Sequence, residues 1–446
     1  ILRSKEAAAM IRSLFLSMQE LNKGARRPAN VPATKIKKLA VIGAGFMGAG
    51  VGYVSARAGL DVVLIDRDQE SADKGKAHAK SVIDGLIAKG RAKQEEGDKI
   101  MSRITATADY ATLKECDLVI EAVFEDRKVK ADTFTKAQEF LKPGVIFASN
   151  TSTLPITSLA ESFKDQGRFI GIHFFSPVDK MMLVEIILGK NTGDAALAAA
   201  LDYVRIIGKT PIVVNDSRGF YANRCVGRYI AEGNEMFLEG VPPAMIENCA
   251  RMAGMPVGPL SLSDEVALDL GLKVMKATEV DLDPNAVNPD QKKLMVELVE
   301  KQNRLGRKNG KGFYDYPEKG KGQKSLWPGL ASLQPKKLDP DSLSVEELKQ
   351  RFLVVQAVEA ARTVEDNVVT DMREADVGSI LGFGFAPFTG GTLSYIDFMG
   401  TKKFVELCHK FEAKYGSRFT PPKLLVEMAA KGETFYGRFP PKKQAA

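Results

Sequence analysis

The sequence predicts an α/β protein: a Rossmann-type doubly wound sheet followed by an all-α C-terminal region made of two repeated helical modules. Three observations carry that reading. Between Lys38 and Pro177, short continuous apolar runs alternate with amphipathic stretches, the pattern of a parallel sheet covered by helices on both faces. The first run ends in VIGAGFMG, whose Gly43, Gly45 and Gly48 fit G-x-G-x-x-G between a strand and a helix. After Phe220 the character turns helical, and one part of that region is a weak copy of another.

Residues 5–22 carry Ala7, Met10, Ile11, Leu14, Met18 and Leu21 at helical spacing, so an amphipathic helix that buries this face is expected. KGARRPANVPATK, from Lys23 to Lys35, reads as a linker because of its two prolines and basic polar character. The runs KLAVIGAG, DVVLIDRD, CDLVIEAVFED, GVIFASNTS and RFIGIHFFSP each read as a buried strand. Residues 316–343 are rich in Pro, Gly, Lys and Ser without a sustained period, and read as a second linker. Aligning Arg224 with Arg351 places Met245 on Met372 and, with one insertion, brings the helical segment ending at Asp269 to YID, ending at Asp397. A repeat of about 127 residues implies two helical modules packed as an internal pseudo-dimer. The expected division is 1–35 helix and linker, 36–215 sheet domain, 216–315 first helical module, 316–343 linker and 344–446 second helical module.

Composition narrows the function classes. With 446 residues, 44% hydrophobic and 27% charged, the chain is long enough for several cores and reads as globular. No run approaches the roughly 18 apolar residues of a membrane span. The first residues, ILRSKEAAAMIRSLF, lack the apolar stretch of a secretory signal and an initiator Met, so the remainder of a longer chain is expected. Cys116, Cys225, Cys249 and Cys408 show no C-x-x-C spacing, which argues against a disulfide framework and against a metal site, and for a reducing compartment. The 63 basic and 56 acidic side chains give +7, spread without a basic stripe or nucleic-acid module. Such a surface excludes a nucleic-acid partner and suits a polyanionic small molecule.

The glycine loop permits a tight turn and brings backbone close to a pyrophosphate at a helix N-terminus. Asp66 ends the next strand, 23 residues beyond Gly43, where a carboxylate can bind the adenosine ribose hydroxyls. Together they predict NAD; Asp66 would repel a 2′-phosphate, which disfavours NADP, although Arg67 beside it tempers that preference. Met47 within the loop reads equally as core packing. Val123, Phe124 and Glu125 end a strand at the sheet edge that faces ligand in open α/β folds. Ser149 to Thr153 end another with small polar groups placed to hydrogen-bond a substrate oxygen.

His173, one of three histidines, closes the next strand and by itself reads more readily as a core residue than as a catalytic one. Glu185 lies in the apolar segment MMLVEII, where a charge is costly to bury unless paired, and that cost couples it to His173 as a proton-transfer pair. Asn223 in GFYANR is the remaining polar candidate, with a helix-end amide as the alternative.

GAGFMG, EAVFEDRKVK, SNTSTLPIT, GIHFFSP, LVEII, GFYANR, PVGP and RKNGKGFY, in that order, resemble the L-3-hydroxyacyl-CoA dehydrogenases of fatty-acid β-oxidation, from about Lys38 to Asp397. The doubled C-terminal module, with the helix and KGARRP ahead of the loop, is similar to the dehydrogenase part of multifunctional β-oxidation enzymes, the fatty oxidation complex alpha subunits. In those an enoyl-CoA hydratase domain comes first; residues 1–22 match only the joining helix, so the hydratase is expected to be absent.

The resemblance implies that His173 takes the 3-hydroxyl proton while hydride leaves for the nicotinamide, and that Glu185 orients the imidazole. It implies that Ser152 and Asn223 bond the substrate hydroxyl and thioester oxygens, and that Met47, Asp66, Glu125, Lys130 and Ser152 contact NAD together with the glycine loop and strand end. Ser81 and Lys89, in the basic helix after the second strand, would meet CoA, although aligning them needs a gap. Ser176 stands where many members carry Asn, which shortens a nicotinamide-side contact, and Leu381 stands where some alpha subunits have a substrate-binding Tyr. Gln350 falls opposite Asn223 in the second repeat, which is expected to have no sheet beside it and to be structural.

The same likeness implies an acyl-CoA substrate and allows a thiolase subunit as partner, a partnership that the residues themselves do not specify. PPKKQAA is not a peroxisomal S-K-L signal, so a bacterial cytoplasm is expected. A catalytically retired NAD-binding scaffold would show an intact loop beside a broken His–Glu pair; a dehydrogenase of free 3-hydroxy acids would keep both.

Overall fold

The computed structural model describes residues 4–281, 287–318 and 321–441, so the C-terminal PPKKQAA lies outside the described residues from 442 onward. An eight-stranded sheet, ordered β3-β2-β1-β4-β5-β6-β7-β8, forms the centre of the first half of the chain. Its strands are β1 (Lys38–Ile42), β2 (Asp61–Ile65), β3 (Ile104–Thr107), β4 (Leu118–Glu121), β5 (Ile146–Ser149), β6 (Phe169–Phe174), β7 (Leu183–Leu188) and β8 (Thr210–Asn215). The first six are parallel, β7 runs antiparallel to β6, and β8 is parallel to β7.

The strand order reverses between β1 and β4, so the crevice outside their carboxyl ends is where this kind of sheet takes ligand. Leu39, Ala40, Val41, Leu118, Val119 and Ile120 are all buried, which is why these strands read as continuous apolar runs. β3 and β8 did not carry that signature. β3 is a short edge strand, ITAT, exposed on part of its surface, and β8 admits Pro211 because it lies at the other edge.

Helices α1 (Phe46–Arg57), α2 (Gln69–Ile87), α3 (Arg127–Gln138) and α4 (Asp194–Ile206) cover the sheet. A buried bond of 2.7 Å between the Ser55 hydroxyl and the Tyr203 phenol ties α1 to α4.

The helical region repeats. The first module comprises α5 (Ala222–Leu238), α6 (Pro243–Met252), α7 (Pro259–Val266), α8 (Leu268–Asp281) and α9 (Pro289–Val296). The second comprises α10 (Val345–Glu365), α11 (Met372–Phe383), α12 (Thr392–Met399), α13 (Thr401–Tyr415) and α14 (Lys423–Lys431). Both break at the same place: Ala267 before α8 has φ 84° and ψ 122°, and Gly400 before α13 has φ 91° and ψ 128°. Asp269 therefore corresponds to Lys402 and not to Asp397, because α11 and the segments before and after it are each longer than α6 and the segments around it. The stretch 316–343 is not wholly irregular: Ser325–Leu326 pairs with Tyr314–Asp315, and Leu330–Leu333 forms one helical turn.

The chain divides into two compact units, one of Ile1–Arg224, Thr363–Phe383 and Phe435–Ala446, the other of Cys225–Arg362 and Gly384–Thr434. In the second unit the two modules meet through Arg351 of α10, which is 1% exposed and pairs with Glu232 at 2.6 Å and Glu239 at 2.7 Å, both on α5.

The first unit corrects two expectations. α11, one helix of the second repeat, packs against β7 and β8, so that part of the repeat does have sheet beside it. The backbone N–H of Val213 on edge strand β8 donates to Glu374 of α11 at 2.8 Å, which gives an unpaired strand edge a partner. The N-terminal helix, Lys5–Asn22, also packs on α11, but buries Ala9, Ser13, Ser17 and Leu21 while Met10 and Ile11 are exposed. Ile11–Ser17 is wound as a wider π-helix, which turns the expected stripe away, and the small Ala and Ser side chains face inward.

Candidate active site

The dinucleotide loop joins β1 to α1. Gly43 has φ 102°, and a Cβ on it would stand 2.5 Å from the Ala122 carbonyl oxygen, so only glycine fits there. A Cβ on Gly48 would stand 1.8 Å from the Gly43 carbonyl oxygen, which makes it the close-packing glycine. Gly45 differs: it caps α1 with φ −66°, and a Cβ there would meet nothing within 4 Å. Open space over a helix N-terminus is what a diphosphate needs, so these residues fit a dinucleotide. Asp66, at the end of β2, accepts from Ala44 N at 2.6 Å and from Arg67 N at 2.8 Å. Each carboxylate oxygen keeps a second lone pair for a ribose hydroxyl.

Around the ends of β4 and β5 lies a carboxylate network. Glu121, fully buried, accepts from Val123 N at 2.7 Å, Lys130 Nζ at 2.8 Å and the Ser149 hydroxyl at 2.6 Å. Lys130, on α3 and 1% exposed, also reaches Glu125 Oε2 at 3.4 Å. Glu125 Oε1 gathers the Thr151 hydroxyl at 2.7 Å, Ser152 N at 3.0 Å, the Ser152 hydroxyl at 3.2 Å, and Thr153 N and hydroxyl at 3.2 and 3.3 Å. Burial opposes ionisation of Glu125, but Lys130 and the donors of Thr151, Ser152 and Thr153 outweigh it and hold its carboxyl below the usual range. Ser152 is thereby fixed at backbone and side chain.

His173 and Glu185 face each other in register across the antiparallel β6–β7 pair, which puts both side chains on one face of the sheet. His173 Nδ1 lies 2.8 Å from Glu185 Oε2, with the imidazole 5% exposed and the carboxylate fully buried. Glu185 Oε1 accepts from Tyr221 N at 3.2 Å and Ala222 N at 2.9 Å, where α5 begins. That turn is held by Phe220 at φ 51°, an uncommon conformation for a bulky residue. One turn residue further, Asn223 Nδ2 donates to the Ser152 carbonyl at 2.7 Å, and Asn150 Oδ1 accepts from Phe174 N at 2.8 Å. The ends of β4, β5, β6 and the start of α5 are thus bonded into one structure.

The structure brings together His173 with Glu185, Ser152 with Asn223, and Ser152 with Glu125 and Lys130. It does not bring the others into bonds with these. Met47 packs partly on the sheet core, Phe124 is 72% exposed, Ser176 is exposed after β6, and Lys89 is exposed beyond α2. The Ser81 hydroxyl donates to the His78 carbonyl of its own helix. Sequence reasoning passed over Glu121, although it is a carboxylate inside an apolar strand as Glu185 is, and over Tyr221, which carries no local signal.

Residues 38–217 match the 3-hydroxyacyl-CoA dehydrogenase NAD-binding domain and residues 219–316 the 3-hydroxyacyl-CoA dehydrogenase C-terminal domain. The crystal structure of (S)-3-hydroxybutyryl-CoA dehydrogenase from Ralstonia eutropha is 36% identical, with 64% of this chain and 100% of that one covered at a TM-score of 0.59. The chain belongs to the 3-hydroxyacyl-CoA dehydrogenase family. Its cofactor is accordingly NAD, the ligand of the family domain that carries Gly43, Gly45, Gly48 and Asp66.

Among other family relatives, the fatty acid oxidation complex subunit alpha of Shewanella amazonensis is 37% identical over 432 residues, which take in 96% of this chain and 60% of that protein. The chain therefore spans about three-fifths of the length of that curated relative. The 3-hydroxybutyryl-CoA dehydrogenase structure from Escherichia coli shares the fold at a TM-score of 0.75 and 22% identity, covering 89% of this chain and 99% of that one. Among the described residues, no helix is long and apolar enough to cross a membrane.

Proposed function

We propose that the chain oxidises an L-3-hydroxyacyl-CoA to the 3-oxoacyl-CoA in fatty-acid β-oxidation, with His173 as general base. The observation that carries this is the buried 2.8 Å contact between His173 Nδ1 and Glu185 Oε2, at the carboxyl end of a strand parallel to the one that opens the dinucleotide loop. An ionised carboxylate only accepts, so Nδ1 carries the hydrogen and the Nε2 lone pair is free to take the hydroxyl proton. Glu185 then stabilises the imidazolium. The nicotinamide of NAD, when bound, takes hydride from the carbon that bears the hydroxyl.

Ser152 and Asn223, fixed to each other, hold the substrate oxygens. Gly43, Gly45, Met47, Gly48, Asp66, Val123, Phe124, Glu125 and Ser176 are assigned to the nucleotide side. Lys130, being 1% exposed, serves it through Glu125. Ser81 and Lys89 are assigned to CoA. The likeness to a subunit of a complex supports a partner subunit, which we assign as a thiolase in a cytoplasmic setting, and the Arg351 contacts support reading the two modules as an internal pseudo-dimer.

His173→Ala is the direct test: NADH binding should survive while acetoacetyl-CoA reduction falls by about 10²–10⁴. Near-normal turnover would remove His173 from the mechanism. Acetoacetate offered in place of acetoacetyl-CoA should consume little NADH; equal rates would favour a free-acid dehydrogenase, and no turnover of either a retired scaffold.

A further inference from the structure

Helix α11 of the second repeat meets the sheet on two glycines one turn apart. A Cβ on Gly378 would stand 2.8 Å from Ile212 Cδ1 and 3.4 Å from the Tyr221 ring. On Gly382 it would stand 2.6 Å from Leu183 Cδ2 and 3.8 Å from both Ala222 Cβ and Phe175 Cζ. Glycine is the poorest helix former after proline, so two of them on one face mark an approach that larger side chains would prevent.

The approach ends at the groups that hold the dyad. Tyr221, fully buried, donates its phenol hydroxyl to the Ala375 carbonyl of α11 at 2.9 Å. Its own amide and that of Ala222 donate to Glu185 Oε1, whose partner oxygen lies 2.8 Å from His173 Nδ1. A second route is aromatic: Phe175, which Gly382 faces, has its ring 4.6 Å from the imidazole. Any shift of α11 therefore moves the two amides that orient Glu185 and the ring that backs His173.

We infer that α11, with Tyr221 as its contact, is a positioning element for the His173–Glu185 pair, so that this helix of the second repeat serves the reaction and not only the fold. This rests on the proposed dehydrogenation. Tyr221, with its side chain fully buried and its hydroxyl on α11, acts through Glu185.

The test uses the full chain, with acetoacetyl-CoA and NADH as probes. Tyr221→Phe and Gly382→Ala should each lower kcat by about tenfold or more, with KM and NADH affinity nearly unchanged and a cooperative melt retained. Leu183→Val added to Gly382→Ala removes the Cδ2 that the new methyl would meet, and should restore most of the lost kcat. In a Glu185→Gln background Tyr221→Phe should have no further effect, because both act on one contact; a merely structural role would lower kcat equally in both backgrounds. Should Gly382→Ala not fold, Tyr221→Phe, which removes one hydroxyl, carries the test. The inference fails if both variants keep wild-type kcat or if the losses are additive. Absence of wild-type turnover would overturn the reaction and the inference with it, a result distinct from an active wild type with unaffected variants.

Discussion

Glu185 divides its two oxygens between His173 and the start of α5: Oε2 lies 2.8 Å from the imidazole Nδ1, and Oε1 accepts the amides of Tyr221 and Ala222. One carboxylate thus joins the sheet to the first helical residue run. Its buried charge is compensated by three donors, as a charge in an apolar strand requires.

Glu185→Gln is accordingly expected to lose on two counts. The amide keeps the size but offers one acceptor oxygen, so either the imidazole or the two backbone N–H groups face a donor. Loss of one charge-assisted bond is worth about 1.5–3 kcal/mol. Turnover should fall by about a hundredfold and the melting temperature by several degrees. Unchanged kcat with a lowered melting temperature would leave Glu185 a purely structural group.

Gly45→Ala separates binding from folding. No protein atom lies within 4 Å of the added methyl and φ is −66°, so the fold should tolerate it. The methyl would occupy the space over the α1 N-terminus, and NADH should bind at least about tenfold more weakly. Fluorescence titration beside a thermal melt reads both; a weakened melt with intact affinity would contradict the assignment of that space to the diphosphate.

Lys209 makes stability depend on alkaline pH. Its ammonium is buried and donates to the carbonyls of Val178 at 2.6 Å and Met181 at 2.5 Å in the segment that follows β6. Burial lowers it from 10.5 to about 8. Below about pH 8 both folded and unfolded chains hold the proton, and this group contributes no slope. Between about 8 and 10.5 only the unfolded chain holds it, so the unfolding free energy rises with pH by a few kcal/mol and levels off above. Wild type should show that rise relative to Lys209→Met in urea titrations across the window; parallel curves would refute it.

Arg351→Ala should strongly destabilise the second unit. It strands Glu232, fully buried, and Glu239, at the cost of about 3–5 kcal/mol expected when one partner of a buried ion pair is removed. Arg418, whose Nε is 2.5 Å from Glu232, would offset part of this. Chemical denaturation measures it, and a loss under about 1 kcal/mol would show that Arg418 suffices.

Several features were legible because their signals are local. Five parallel strands were written as uninterrupted apolar runs, the dinucleotide loop as three glycines with Asp66 beyond it, and Glu185 as a charge that had no place in an apolar strand without a partner. β3 and β8 were not legible, because edge strands carry polar residues or proline at one face. Neither was the N-terminal helix face, since a π-wound segment departs from the period on which such faces are read.

The amino-acid order by itself determined the fold class, the family and the NAD loop, since each rests on short-range pattern: periodicity, turn chemistry and spacing. Only the tertiary structure decided that His173 and Glu185 stand in register, that Glu125 collects the Ser152 hydroxyl and amide, and that α11 comes back to the sheet from residues far along the chain. Those relations depend on which surfaces meet, and Gly378 and Gly382 show why: a missing side chain permits contact without announcing its partner.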